Sequence, residues 1–204
     1  ETNAQKYGII KAEVSFPESI QTTILSGAHI NVANPYFQTT RRIYKVNSDY
    51  DRVDLTDMPG NYLIRSKYQP ACSMEEYQLR APVTPWKKSY LSLYRIVNRE
   101  MVGCLSERTL AACIIPPGIA YVNTIFGIAY QDESILPLME GFECSLPFDF
   151  LVKIIGKGHV NYSTNMLFPI VHSCFDNAIK LRALLLNCLS IYYTDLWQRQ
   201  FDES

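Results

Sequence analysis

Apolar and polar positions divide this chain unevenly. Residues 8–14 alternate weakly and predict a strand, and residues 17–24 predict a short helix. Residues 30–37 are apolar, with a turn at Asn34-Pro35. Residues 38–70 are polar and rich in turn formers, among them Asn47-Ser48-Asp49 and Asp57-Met58-Pro59-Gly60, and predict loops with short strands. From Pro85 the spacing changes. Trp86, Tyr90, Leu93, Tyr94, Val97 and Met101 recur at helical intervals and predict a mid-chain helix ending at Gly103. Lys88, Ser92, Arg95 and Arg99 would make a basic edge on another face of that helix.

Residues 109–131 carry no charge, a length that reaches the roughly 20 residues of a bilayer span. Pro116-Pro117-Gly118 splits the stretch, so two buried strands joined by a turn are expected and no membrane span. Residues 151–155 predict a strand running into the glycine loop Gly156-Lys157-Gly158-His159. Residues 175–200 predict one long helix, apolar nearly all round, that must be covered on most faces by this domain or by another part of a longer chain. The expected architecture is α+β: a mixed or antiparallel sheet with a mid-chain helix and a long apolar C-terminal helix packed on it. A single domain over 1–204 is expected, with sub-lobes at 1–110 and 111–204.

Composition narrows the function classes. With 48% hydrophobic and 19% charged residues, 204 residues can bury a sizeable core, which excludes wholesale disorder, collagen and coiled coil. A net charge of −1 argues against a histone-like binder, yet residues 38–110 hold 12 basic and 8 acidic side chains, enough to offer one phosphate-facing surface. The first Met is Met58, so a segment of a longer or processed protein is expected. The first twenty residues have no long apolar run, and a cytoplasmic location is expected. Six Cys form no C-x-x-C pair, His29 and His159 stand apart from them and His172 neighbours Cys174 alone, which predicts free thiols (Cys104, Cys113 and Cys188 in apolar stretches) and no zinc site.

Most catalytic signatures are missing. The sequence has neither phosphate-binding glycine loop, nor a G-x-S-x-G elbow. Asp49, Asp51, Asp54 and Asp57 read as turn formers. Asn34-Pro35-Tyr36-Phe37 approaches the Asn-Pro-Pro-Tyr type of motif that holds an extruded base, but it lacks the second proline and only 33 residues precede it. It reads as a turn.

Several stretches, in order, carry a resemblance. They are Asn34-Pro-Tyr-Phe-Gln-Thr-Thr-Arg41, Asp49-Tyr-Asp-Arg-Val-Asp-Leu55, Tyr62-Leu-Ile-Arg65 and Tyr68-Gln-Pro70, then Glu107-Arg-Thr-Leu-Ala-Ala-Cys-Ile-Ile-Pro-Pro-Gly118 and Ser145-Leu-Pro-Phe-Asp-Phe150. Gly156-Lys-Gly-His-Val-Asn-Tyr-Ser163, Leu181-Arg-Ala-Leu-Leu-Leu-Asn-Cys-Leu189 and Tyr193-Thr-Asp-Leu-Trp197 complete the set. Together they resemble the C-terminal target recognition region of large adenine-N6 DNA methyltransferases of restriction-modification and phage-defence systems. The resemblance implies a module that grips double-stranded DNA and chooses the site. It implies no cofactor in this segment; a methyltransferase core elsewhere in the parent would bind S-adenosylmethionine and methylate the extruded adenine.

The residues suggest where such a module would touch DNA. Phosphate contacts need Lys, Arg, backbone N–H groups and hydroxyls on one surface. Arg41, Arg42, Lys45, Arg65 and Lys67 form one candidate group, and Lys153, Lys157, His159 and Asn161 a second around the glycine loop. Arg41, Arg42, Asn161 and Asn165 are candidates for base readout. Glu107 and Arg108 would instead brace the following strand. Two other classes stay open: a protein-interaction module of a defence complex, docking through the last helix, and an enzyme with a pocket lined by His159 or His172 and two carboxylates.

Overall fold

The computed structural model describes residues 2–103 and 105–201; Cys104 lies outside them. The elements run α1 (Thr2–Lys6), β1 (Ile10–Ser15), β2 (Ile24–Leu25), β3 (Gln38–Thr40), β4 (Tyr50–Arg52), β5 (Ser66–Pro70), α2 (Met74–Leu79) and β6 (Arg95–Arg99). They continue with β7 (Ala112–Ile115), β8 (Ala120–Tyr121), β9 (Ile125–Ile128), α3 (Leu136–Glu143), α4 (Leu146–Ile155), α5 (Tyr162–Asn165), α6 (Asp176–Asn187) and α7 (Thr194–Gln200). The class is α+β, with small sheets. β7-β6-β9 is antiparallel, β1-β5 and β3-β4 are antiparallel pairs, and β2-β8 is a parallel pair.

The three-stranded sheet is the centre, and it is covered on both faces. Side chains alternate across a strand. Ile96 and Ile114 face a helical layer that supplies Leu136, Met139, Leu184, Tyr193 and Leu196. Val97, Cys113 and Ile115 face the opposite way, onto Leu25, Ile30, Ile64 and Ile119. β7 is an edge strand, and an edge exposes unpaired N–H and C=O groups. Here that edge is closed. The Ala33 N–H donates to the Ala112 carbonyl at 2.7 Å. The Ile114 N–H donates to Asn187 Oδ1 at 3.0 Å, and the Tyr193 hydroxyl donates to the Ile114 carbonyl at 2.8 Å.

Three expected elements are corrected. The helix expected from Pro85 does not form. Its first turn is a Thr84–Lys88 reversal with Lys87 at φ +66°, followed by a single 3-10 turn at Tyr90–Ser92 and then β6. A strand buried on both faces loses the apolar-polar alternation that would betray it, so the helical spacing of its apolar residues was accidental. Its supposed basic edge dissolves with it: Arg95 is buried, and Arg99 is half-buried with its guanidinium donating to the Gly27 and Ile30 carbonyls.

The long apolar C-terminal helix does not exist either. α6 ends at Asn187, a 3-10 turn covers Ile191–Tyr193, and α7 follows. Asn187 and Tyr193 both reach Ile114. On one continuous helix, residues six apart point about 120° away from each other, so the chain breaks between them. Residues 151–155, expected as a strand, form the last turns of α4. Pro147 sits in its first turn, where proline is tolerated, and Gly156 ends it at φ +69°. Among the described residues no helix is long and apolar enough to cross a membrane.

α3 and α6 approach closely at Gly141. A Cβ added there would lie 2.4 Å from Ile179 Cγ2, on a stiff β-branched side chain. Gly141→Ala gains helix propensity but overpacks this contact. A net destabilisation of about 1–2 kcal/mol is expected by urea unfolding, relieved when Ile179→Ala is added. A more stable Gly141→Ala protein would show that the two helices have room to separate.

Candidate nucleic-acid interface

β3 and β4 form a hairpin with Gln38 opposite Arg52, Thr39 opposite Asp51 and Thr40 opposite Tyr50. Its connecting loop is closed by Asp49, whose Oδ2 accepts from the Lys45 and Val46 N–H groups at 2.8 Å each. Those two bonds hold the Asp49 carboxyl below the usual carboxylate range. Asp54 likewise accepts from the Thr56 N–H and hydroxyl. Asp51 does something different. It receives Arg41 Nε at 3.0 Å on one oxygen and Arg65 Nη2 at 3.3 Å on the other. Exposed ion pairs add little stability, so the effect of Asp51 is to orient two guanidinium groups with one carboxylate.

Aromatic rings support the remaining cations. Arg42 and Arg65 lie over Phe16, with their guanidinium carbons 5.3 and 5.2 Å from the ring centroid. Arg52 lies 3.7 Å over Phe37. Lys67 Nζ donates to the Tyr44 hydroxyl at 2.9 Å and sits 4.5 and 5.4 Å over the Tyr44 and Tyr50 rings. Burial works to lower its pKa, but the tyrosine hydroxyls outweigh burial and the ammonium is held charged. Among the described residues neither Arg42, Lys45 nor Lys67 has a carboxylate within ion-pair distance.

Beside the hairpin lies an open cleft of about 560 Å³. Gly27, Asn47, Tyr50, Lys67, Arg99 and Met101 are among the residues that line it, and none of the described lining residues is acidic. Buried His29 fastens this region. Its Nδ1 accepts from the Ser26 N–H at 2.8 Å, which leaves Nε2 to donate to the Arg65 carbonyl at 3.2 Å. Burial pushes its pKa down to about 4, so it adds no charge to the cleft near neutral pH.

The structure brings the first group of sequence candidates together: Arg41, Arg42 and Lys45 belong to the hairpin, and Arg65 and Lys67, at the start of β5, reach it through Asp51 and through Tyr44 and Tyr50. The second group is more dispersed in role. His159 pairs with Met101 at the rim of the cleft and lies 3.8 Å from Glu100. Lys157, just past the Gly156 turn, donates to the Ser163 hydroxyl at 2.9 Å. Asn161 caps α5. Lys153 is engaged by Asp149 at 3.2 Å and by the Glu107 carbonyl at 2.9 Å. Asp149 opposes its own burial with N–H bonds from Leu110 and Thr109, and its carboxyl is held low. Arg108, 3.4 Å from Asp149, braces the start of this stretch as the sequence suggested. Asn165 is half-buried under α3 rather than presented outward. Sequence reasoning missed Arg52, Phe16, Tyr44 and Tyr50; the interleaving of Arg and Lys with Tyr across 41–52 was the available signal. His159 and His172 are exposed, and His172 pairs with Asp176 at 2.9 Å. Among the described residues each of these two histidines has one carboxylate neighbour rather than the two that a hydrolytic pocket would want.

On the far side of the sheet, two fully buried acids face it from α3. Glu143 accepts from Asn98 Nδ2 at 2.7 Å, and Glu140 accepts from the Cys144 thiol at 2.8 Å. Glu143 Oε1, Glu140 Oε2 and Asn165 Nδ2 are left without partners. Burial raises the Glu143 pKa to about 7, and burial together with the Glu143 charge raises that of Glu140.

No protein-family model matches the chain, and neither does any curated protein or solved structure.

The buried acid gives a pH prediction. From the ordinary value of 4.5 up to about 7, folded Glu143 keeps a proton that the unfolded chain has released. Its contribution to stability is thus fully present below pH 4.5 and is lost as pH rises to about 7. His29 acts in the opposite sense between about 4 and 6.5, because the unfolded chain takes up a proton that folded His29 refuses. The wild-type profile mixes these with Glu140, whose pKa is raised as well. Glu143→Gln removes the Glu143 titration and the charge that helps to raise Glu140, both in the same sense, so its stability relative to wild type should climb by about 1.4 kcal/mol per pH unit across this window. Parallel profiles from urea titrations at several pH values would mean that Glu143 is not buried with a proton.

Proposed function

We propose that this chain is a DNA-reading module that contacts the double helix through the β3–β4 hairpin and its cleft. In this reading it serves a site-specific adenine-N6 methyltransferase whose S-adenosylmethionine-binding core lies outside residues 1–204. The observation that carries it is the gathering of cations at one hairpin: Arg41, Arg42, Lys45 and Arg52 belong to it, and Arg65 and Lys67 reach it from the start of β5, against Asp49 and Asp51. The chain as a whole is neutral, so this concentration is local. A two-stranded ribbon fits the major groove. Rings beneath the guanidinium groups hold them extended toward phosphate, and the acid-free cleft suits a phosphate or a base edge. Unpaired thiols at the five described cysteines suit a cytoplasmic location.

A second surface fits the remainder of such an enzyme. Leu146, Phe150 and Ile154 recur every fourth residue on α4 and are all exposed, as are Phe175, Leu185 and Leu186 on and beside α6. Exposed apolar rows of this kind mark protein contacts. The methyltransferase core is the partner this reading assigns to them, and a scaffold partner in a defence complex is the alternative.

Titration of the full chain with random-sequence duplex DNA at about 50–200 mM salt tests the hairpin. Arg42→Ala/Lys45→Ala should lower the log–log salt slope by about 2, and Lys153→Ala, whose ammonium is engaged by Asp149, should leave it unchanged. Equal slopes for wild type and the double variant, or no binding at the lowest salt, would overturn the assignment.

A further inference from the structure

A second cavity, sharing no lining residue with the cleft, surrounds Arg95. It measures about 330 Å³ and is walled by Pro82, Tyr90, Leu91, Tyr121 and Phe126. Arg95 is only 2% exposed. Its Nε donates to the Leu93 carbonyl at 3.3 Å and its Nη2 to the Ile119 carbonyl. The guanidinium carbon sits 5.5 Å from the Tyr121 ring centroid. Carbonyls and rings are partial dipoles, and among the described residues no carboxylate lies within ion-pair distance of it. A buried charge without a counter-ion is strongly unfavourable. Here the guanidinium, hydrogen-bonded to the Tyr121 hydroxyl but without a counter-ion, borders a cavity whose other walls are apolar and aromatic.

The shape of that cavity is set by one glycine. A Cβ at Gly127 would lie 2.2 Å from the Tyr121 hydroxyl oxygen. Only glycine lets the Tyr121 ring lie flat against β9 and leave the slot beside it open.

We propose that this cavity binds a small one-ring carboxylate, its anionic end on Arg95 and its ring against Tyr90, Tyr121 and Phe126. Among the described residues Arg95 is the one charged residue lining it, so a monoanion balances the site and a phosphate dianion would leave a charge uncompensated in an apolar setting. A guanidinium and a carboxylate match as planar, bidentate partners. The volume sits near the lower end of small-molecule sites, the size of one ring and a short acid arm.

Phenylacetate is the probe, with phenylacetamide as its neutral twin, each titrated into the full chain and followed by amide NMR. Phenylacetate should give saturable shifts at Gly127 and Tyr121, and phenylacetamide should bind at least about tenfold more weakly. Gly127→Ala pushes Tyr121 into the slot and should weaken phenylacetate by a similar factor. Arg95→Met should abolish the preference for acid over amide; if it does not fold, the acid–amide comparison and Gly127→Ala still decide. The proposal fails if amide and acid bind equally. It fails equally if no saturation is seen by about 10 mM, or if the shifts appear around Lys67 instead.

Discussion

The central sheet has three strands, and three strands leave two edges. What keeps β7 paired on its outer side is not another strand but one backbone amide and two side chains. Asn187 and Tyr193 satisfy the N–H and carbonyl of the same residue, Ile114, while Ala33 takes the Ala112 carbonyl. A buried backbone group left unpaired costs about as much as a lost hydrogen bond. The requirement therefore reaches outward: α6 must stop at Asn187, the chain must turn, and α7 must start where Tyr193 can point back. Trp197 Nε1 donates to the Cys188 carbonyl across that turn at 3.0 Å, satisfying a group the broken helix exposes.

The two faces of the sheet are chemically unlike. The helical side buries Glu140 and Glu143 over Asn98 and keeps ionisable groups away from solvent. The loop side carries the positive charge, with Arg99 donating to loop carbonyls and the β3–β4 hairpin beyond it. Arg95 and Arg99, from one strand, point to that same side, and each guanidinium is anchored on backbone carbonyls.

Legibility in the sequence followed burial. The strand at the chain's start was readable from alternation, and Pro116-Pro117-Gly118 marked the turn between the apolar stretches on either side. β6 was unreadable as a strand because Tyr94 to Asn98 are all buried, and its polar residues Arg95 and Asn98 fall on opposite faces, so they mark no period of two. The break after Asn187 was invisible because the local sequence favours helix and the reason to stop, Ile114, lies 73 residues away. The cationic hairpin was legible as a list of residues; its organisation by Asp51 and Phe16 was not, since both act through space. Arg95, read as an edge charge, turned inward because its strand did.

The same burial pattern sorts the sulfur atoms. Cys113 and Cys188 are buried and Cys144 largely so, with thiols that burial pushes well up from their ordinary value, while Cys174 is exposed just ahead of α6. Thiolate is the form that alkylating reagents attack. Native protein should therefore consume such reagent at Cys174 long before the interior sulfurs react, and delayed mass increments at Cys113, Cys144 and Cys188 would time the parting of α3 and α6 from the sheet with no foreign label.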